Sequence, residues 1–368
     1  MPFDTDVFVL GGGPAGLSAA IALRQAGFAV LLADAKRPPI DKACGEGLLP
    51  NSLLAAARLG ITIGPALGSP FRGIRFCDSR YSVSADFPAG TGIGIRRPVL
   101  QNLLVERAAG AGVEMLWNQP VTGLQSHVVL LGSKCITARW IVGADGAQSL
   151  VRRWAGLYRR SDQTRRFSYR RHYRVAPWSD YMEIHWGRSC QFYITPVSAC
   201  EVCVVLMSRS PQQRIANALP EFPSLARRLS DCQVISPERG ALAGTRRLDR
   251  VTQGNLALAG DASGTIDPIT GEGLGLAFQE AHSLADAVTR GDLRLYERAH
   301  ARLSRRPRFL SDFMLLMDRS AILQRRVLAA FAAHPQLFAN LLSMHVGQLP
   351  AARLLTTAAA LGWQLLAT

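Results

Sequence analysis

The chain has 368 residues, 48% of them hydrophobic and 19% charged, with a formal net charge of +15. That balance excludes a disordered tail or a small stapled domain and leaves one large domain or two closely packed ones. The excess of positive charge asks for an acidic partner: a phosphorylated cofactor, a carrier protein or an anionic membrane surface. No nucleic-acid motif accompanies it, so nucleic acid is not expected.

Seven cysteines stand without a framework, and no basic flank leads into an apolar signal segment. Both points favour a reducing cytoplasm, with membrane association through the basic surface as a further expectation. No stretch reaches the roughly 18–20 apolar residues of a spanning helix.

Asp6 to Leu10 reads as a strand and runs straight into Gly11-Gly12-Gly13-Pro14-Ala15-Gly16. A helix follows from Pro14 to Ala26, and a second strand from Phe28 to Ala33 ends on Asp34. Strand, glycine turn, helix, strand and acid in about 30 residues make a dinucleotide fingerprint. Gly11 forms the tight turn, Gly13 admits a pyrophosphate, and Gly16 lets helix and strand pack closely. Asp34 is placed to hold an adenosine ribose hydroxyl, which argues against a 2′-phosphate there.

Asp41-Lys42-Ala43-Cys44-Gly45-Glu46-Gly47 is a glycine-rich loop with one thiol, leading into a helical stretch from Pro50 to Leu59. Residues 62–95 are turn-rich, and alternation over 80–87 suggests strands. Arg96-Arg97-Pro98 opens a helix from Val99 to Ala111. Two short strand-like runs between Val121 and Ile141 then lead to Asp145-Gly146, with Ser149 and Arg152 after it.

Nine arginines crowd the segment Arg152 to Arg174, as a solvated face, a landing site for nicotinamide-cofactor phosphates, or a dock for a carrier or membrane. Alternating runs at 167–175, 181–186, 190–196 and 200–207 read as an inserted antiparallel sheet. Cys200 and Cys203 have the spacing of half a zinc site, but strand residues three apart point to opposite faces and no second pair exists. No metal is expected.

Asn255 to Ala259 is a short buried strand that stops at Gly260-Asp261. Pro268 and Gly271-Glu272-Gly273 punctuate the turn after it, and Leu274 begins a helix that runs to Thr289. A carboxylate at a strand end can accept hydrogen bonds from a polyol. Glycines opening a helix bring bare N–H groups to an electron-rich ring, where the helix dipole favours negative charge. Those are the needs of a ribityl chain and a reduced isoalloxazine. From about residue 301 the chain reads as helical and apolar, suited to core packing, to roofing a substrate cavity or to lying on a membrane interface.

With these three motifs in order, residues 5–290 resemble the FAD-dependent oxidoreductases of the p-hydroxybenzoate hydroxylase type, whose architecture geranylgeranyl reductases share. The resemblance implies an α/β fold: a Rossmann-like, three-layer FAD-binding domain (1–75, 96–150 and 241–300), an inserted β-sheet substrate domain (76–95 and 151–240) and a helical C-terminal segment (301–368). It implies FAD contacts at Gly11, Gly13, Pro14, Ala15, Gly16, Asp34, Lys42, Cys44, Gly45, Arg97, Asp145, Gly146, Gly260, Asp261, Pro268, Gly271, Glu272, Gly273 and Leu274. It also implies one tightly bound FAD and no separate nicotinamide domain, so that NADH or NADPH would dock transiently or another donor would replace it.

The leading expectation is a monooxygenase that hydroxylates a hydrophobic aromatic or polyketide-like small molecule through a flavin C4a-hydroperoxide. His172, Tyr173, His185 and Tyr193 on the inserted sheet are candidate bases, and Pro268 is a candidate for shaping the site. The alternative is a prenyl-lipid reductase with Cys44 as proton donor or gate, or Glu272 holding the proton. It is favoured by the Lys42-x-Cys44-Gly45 loop, and by Ser263 where many hydroxylases carry histidine. A flavin-bound carrier or sensor without turnover is a third reading. The halogenase signature Trp-x-Trp-x-Ile-Pro is absent.

Overall fold

The computed structural model describes residues 2–157 and 165–349, together with Gly362. Its helices are α1 (Pro14–Gln25), α2 (Pro50–Arg58), α3 (Arg97–Gly110), α4 (Leu150–Trp154) and α5 (Ile215–Ala218). They continue with α6 (Pro223–Leu229), α7 (Gly273–Thr289), α8 (Leu293–Arg319), α9 (Ala321–Ala333) and α10 (Pro335–His345).

The first sheet has a parallel centre. Thr5–Leu10 lies between Val30–Asp34 and Lys134–Gly143, with Glu114–Trp117 outside the former and Leu256–Leu258 outside the latter. Its strands are apolar runs because both faces are covered. Val7, Phe8, Val9, Leu32 and Ile141 are all buried. Helices α1, α3 and α7 contribute Leu17, Ile21, Leu104 and Phe278 to this core. A small antiparallel meander, Gly123–Gln125 with Val128–Leu131 and the start of Lys134–Gly143, adds Val129 and Leu131. The two strand-like runs expected between Val121 and Ile141 are therefore three strands. In an open sheet of this order the ligand crevice lies beyond the carboxyl ends of the strands, where Gly11, Asp34 and Gly260 all fall.

The second sheet is built on Arg166–Arg174, Glu201–Ser208, Cys190–Ser198 and Tyr181–Trp186, paired antiparallel in that spatial order. Gly73–Cys77 joins Tyr181–Trp186 in parallel, and Ser82–Asp86 completes that edge. Gly73–Cys77 thus straddles the division at residue 75 drawn from the sequence. One face of the sheet carries Met182, Ile184, Trp186, Tyr193, Cys203, Val205 and Met207. Against it pack Met314 and Met317 of α8, Val327, Leu328 and Phe331 of α9, and Phe338 of α10. Phe338 lies 4.7 Å from Phe76 and 5.0 Å from Phe331, ring centre to ring centre. The opposite face, with Tyr169, Tyr173, Phe192 and Ile194, packs on α5 and α6.

Among the described residues no single helix is long and apolar enough to cross a membrane. α9 and α10 together have the length but bend by 107°, and their apolar sides face the second sheet.

Candidate active site

The glycines of the first turn divide into two kinds. A Cβ on Gly11 would overlap the Ala144 carbonyl, and one on Gly16 would overlap the Gly11 carbonyl. A Cβ on Gly13 meets nothing within 4 Å. The first two are required by the protein's own packing, and the third faces open space. Pro14 and Ala15 start α1 behind it, leaving the helix's first N–H groups and positive dipole end directed there. Asp34 accepts from the Gly12 N–H at 2.7 Å and the Lys36 N–H at 2.7 Å, with lone pairs to spare. Gln101 is fully buried; its Nε2 donates to the Gly12 carbonyl at 2.6 Å, and its Oε1 has no partner among the described residues.

The third motif is pinned from beneath. Gly260, at φ +59, packs against Ala15, bringing this turn onto the first. Its N–H donates to Glu280 of α7 at 2.8 Å, and Glu280 lies 3.4 Å from His300 of α8. Ser263 closes the ring, donating to the Gly260 carbonyl at 2.7 Å and lying 2.9 Å from His300 Nε2. Asp261 is left half exposed and pairs with Lys42 at 3.0 Å, so the thiol-bearing loop and the third motif meet there.

Asp267 is fully buried, paired with Arg166 at 3.0 Å; Gln191 and Asp318 complete that cluster. Pro268 begins a single 3₁₀ turn, and Gly271 is left-handed at φ +70. Gly271 and Gly273 face open space, while Glu272 turns inward, 3.9 Å from Arg306 and 3.5 Å from His345. Leu274 lies half-buried in the first turn of α7.

The loop around Cys44 is held at several atoms. Gly45 O accepts from Thr195 Oγ1 at 2.8 Å, and the Cys203 thiol donates to Cys44 O at 3.7 Å. Glu46 O accepts from the Ile95 N–H at 2.8 Å. Glu46, at φ +58, is a non-glycine residue in left-handed backbone, a conformation that persists where surroundings over-determine it. Its buried carboxylate takes the Arg97 N–H at 2.9 Å and His172 Nε2 at 2.7 Å, with Arg170 3.8 Å away and Arg96 3.9 Å away. Glu46, His172 and Cys203 bring donor atoms within 4.8 Å of one another. Two guanidinium groups already meet the carboxylate's charge, so this is an ion-pair cluster. The Cys44 thiol itself is half-buried and accepts from the Glu46 N–H at 3.4 Å.

The structure therefore gathers the first turn, the Lys42–Gly45 loop, Arg97 at the head of α3, and Gly260–Leu274. Tyr193 belongs with them, donating to the Ile269 carbonyl at 3.0 Å beside Pro268. His185 does not. It pairs in register with Phe192 and so lies on the sheet's other face, 2.9 Å from Glu183, as does Tyr173. Asp145 staples the start of α4 by accepting from the Leu150 and Val151 N–H groups, and Gly146 beside it is left-handed at φ +83 and faces open space. Of the arginine run, Arg159 and Arg160 lie outside the described residues.

A model of the FAD binding domain family matches residues 4–214. The chain belongs to that family. As an FAD binding domain protein it is similar to menaquinone reductase of Mycolicibacterium smegmatis, 26% identical over 80% of this chain and 78% of that one. It is also 26% identical to rifampicin monooxygenase of Streptomyces venezuelae, over 76% of this chain and 63% of that one. In fold it is similar to a flavoprotein/dehydrogenase from Cytophaga hutchinsonii, with a TM-score of 0.80 at 19% identity, covering 93% of this chain and 92% of that one. The protein is an FAD-dependent oxidoreductase.

The site fits FAD on its own geometry. Gly13, Gly45, Gly271 and Gly273 present bare backbone to open space, and Gln101 Oε1 and Arg97 Nε are buried polar atoms without partners among the described residues. These residues, with Asp34 and Asp261, would hold the cofactor. A cleft of about 540 Å³ lies elsewhere, along the edge strand Glu114–Trp117 beside Arg37 and Lys134.

Glu46, Gln101, Arg170 and Glu280 escaped the sequence reading. The available signals were an acid inside a glycine loop and polar residues interrupting apolar helix faces.

Burial pushes the Glu272 carboxyl up to about 8 against the opposing charge of Arg306, and pushes Glu280 up to about 8 against the Gly260 hydrogen bond. Each acid holds its proton more tightly folded than unfolded. The stability this contributes is complete below the ordinary value of 4.5 and is lost as pH rises through about 8. Glu272→Gln removes one ionisation while keeping the shape. Its melting temperature, scanned from about pH 5 to about pH 9, is expected to fall less on the alkaline side than the parent's.

Proposed function

We propose that this oxidoreductase saturates carbon–carbon double bonds of a hydrophobic, prenyl-type lipid, with NADH or NADPH as reductant. The supporting observation is the fixed Cys44 thiol. Saturation adds a hydride to one carbon and a proton to its neighbour. Bound FAD, once reduced, supplies the hydride; the chain has to hold a proton donor still and keep water away. Cys44 carries a transferable proton on a loop whose carbonyls and neighbouring carboxylate are tied to the second sheet. That loop touches Asp261 of the third motif through Lys42.

An oxygen-activating site would expose such a thiol to oxidation to sulfenic acid and beyond, which weighs against hydroxylation. A relative matched over 80% of this chain and 78% of its own is named for reducing menaquinone, a quinone bearing a prenyl chain. Such substrates reside in membranes. Helices α8 and α9 expose Phe309, Leu316 and Ile322 among Arg305, Arg319 and Arg325, which suits an anionic bilayer surface.

The monooxygenase reading is the second one. It is favoured by Tyr193, which stands beside Pro268 on an apolar, aromatic-lined face, and by the rifampicin monooxygenase relative.

Anaerobic incubation with NADH or NADPH and a prenyl lipid separates them by mass spectrometry. Gain of two hydrogens per double bond without oxygen supports the reductase. Cys44→Ser, still yellow, is expected to lower that rate roughly 10²-fold, and an unchanged rate removes Cys44 as donor. Product formed only with stoichiometric oxygen uptake establishes the monooxygenase instead.

A further inference from the structure

A lipid substrate and a flavin must meet without the lipid crossing much water. We propose that the outer face of α8, continued onto the start of α9, docks on an anionic lipid bilayer and sets the flavin-holding turn one helix thickness from it. The proposal rests on the reductase reading, which puts the substrate in a membrane.

α8 presents a continuous outer stripe. Arg302, Arg305, Phe309, Asp312, Leu316 and Arg319 are all exposed and recur every three or four residues, the spacing of one helix face. At ~1.5 Å per residue the stripe is about 25 Å long. Ile322 and Arg325, both exposed, follow at the start of α9. Phe309, Leu316 and Ile322 are each more than half exposed. The acid among them, Asp312, is paired with Arg247 at 2.9 Å, so the face carries net positive charge.

The chemistry of this face selects a bilayer over a protein partner. Protein interfaces are depleted of charge at their core, whereas here each exposed apolar side chain stands within one turn of an arginine. Arginine stems lie along apolar surface while their heads reach lipid phosphates, and the apolar side chains between them enter the acyl boundary. The formal charge of +15 on the whole chain adds long-range attraction of the same sign.

The inner side of the same helix faces the flavin segment. Pro307, Leu310, Met314 and Asp318 are buried there, and α8 packs directly on the turn Pro268–Thr270. Asp318 accepts from Gln191 in the cluster that holds Asp267, and Arg306 reaches from the flank of α8 to within 3.9 Å of Glu272. A helix with its side chains is about 10–12 Å thick. The turn that carries Pro268 and Gly271 therefore lies about that far from the docking face, and a long lipid can reach it with its far end still in the bilayer.

The test sediments the holoenzyme with vesicles of phosphatidylcholine alone or mixed with phosphatidylglycerol, without substrate. Binding is expected to the mixed vesicles, falling as salt rises, with little to phosphatidylcholine alone. Arg302→Gln with Arg305→Gln is expected to weaken it roughly 25-fold, about 5-fold per arginine. The exposed pair Arg58→Gln with Arg153→Gln, on α2 and α4, is expected to change it by less than about 2-fold. Phe309→Ser with Leu316→Ser is expected to lower binding about 10-fold, in high salt as well as low. Both α8 variants should keep the parent rate on a short prenyl alcohol in solution and lose it on a lipid held in vesicles. Equal losses from the two arginine pairs reduce the effect to net charge and overturn the docking face, as does binding that ignores lipid charge. A concentration-dependent dimer that Phe309→Ser dissolves assigns the face to a second copy of the chain and overturns the bilayer. Absence of saturation by the parent in either setting overturns the reductase reading instead, and is told apart because vesicle binding is measured without substrate.

Discussion

Replacing Gly13 with valine yields a protein that folds and melts as the flavin-free parent does but purifies colourless. Gly13 caps α1 at φ −74 and ψ 176, extended backbone that a β-branched residue adopts readily, and its Cβ meets no atom of the protein. What the isopropyl group occupies is the space beyond the turn, where phosphate oxygens would approach bare N–H groups. Losing one or two charge-assisted hydrogen bonds, at about 1.5–3 kcal/mol each, weakens FAD binding roughly 10- to 10⁴-fold. Gly16→Ala is the contrast. Its new methyl would overlap the Gly11 carbonyl, so the expected loss is in folding, about 3 kcal/mol or more. Flavin content per protein, set beside a thermal melt, distinguishes the two. A yellow Gly13→Val protein places the pyrophosphate elsewhere.

The same contrast shows what could be read from the chain. The spacing of Gly11, Gly13 and Gly16 identifies a turn, because the needs of a strand–helix junction and of a bound pyrophosphate are both local. The strands at 167–175, 181–186, 190–196 and 200–207 were legible for a similar reason: short β-branched and aromatic runs bounded by turn residues are local signals, and the observed strands start and stop within two residues of those bounds. Which face met the flavin segments was not legible. His185 and Tyr193 looked equivalent, and only the register of Ile184 with Tyr193 and of His185 with Phe192 sends them to opposite sides. Nor was Glu46 legible as an anchor. Its partners His172 and Arg170 lie more than a hundred residues away, and no periodicity within the loop refers to them.

Arg170→Met is expected to cost up to about 3–5 kcal/mol of stability at neutral pH, because it removes the buried cation that two carboxylates share and leaves Asp41 to Arg239 and Glu46 to Arg96 and His172. Arg170 is fully buried, 2.7 Å from Asp41 and 3.8 Å from Glu46. Burial works against the Asp41 charge, yet the hydrogen bond and charge of Arg170, helped by Arg239, hold that carboxyl below its ordinary value of 3.8. A depressed acid contributes stability that is present above the unfolded value and lost as pH falls through the folded one. The variant lacks this contribution, so the gap in urea midpoint between parent and variant is widest above about pH 4 and narrows below it. The damage is also local in form. Glu46 holds left-handed backbone because Arg97, His172 and Arg170 surround its carboxylate, and that balance tips when one cation is removed. Amide exchange at Gly45 to Gly47 should therefore rise by more than the global loss of stability accounts for. Unchanged exchange there would mean that the Cys44 loop is held by its backbone bonds to Thr195 and Ile95 alone, and that the buried ions serve the sheet and not the thiol.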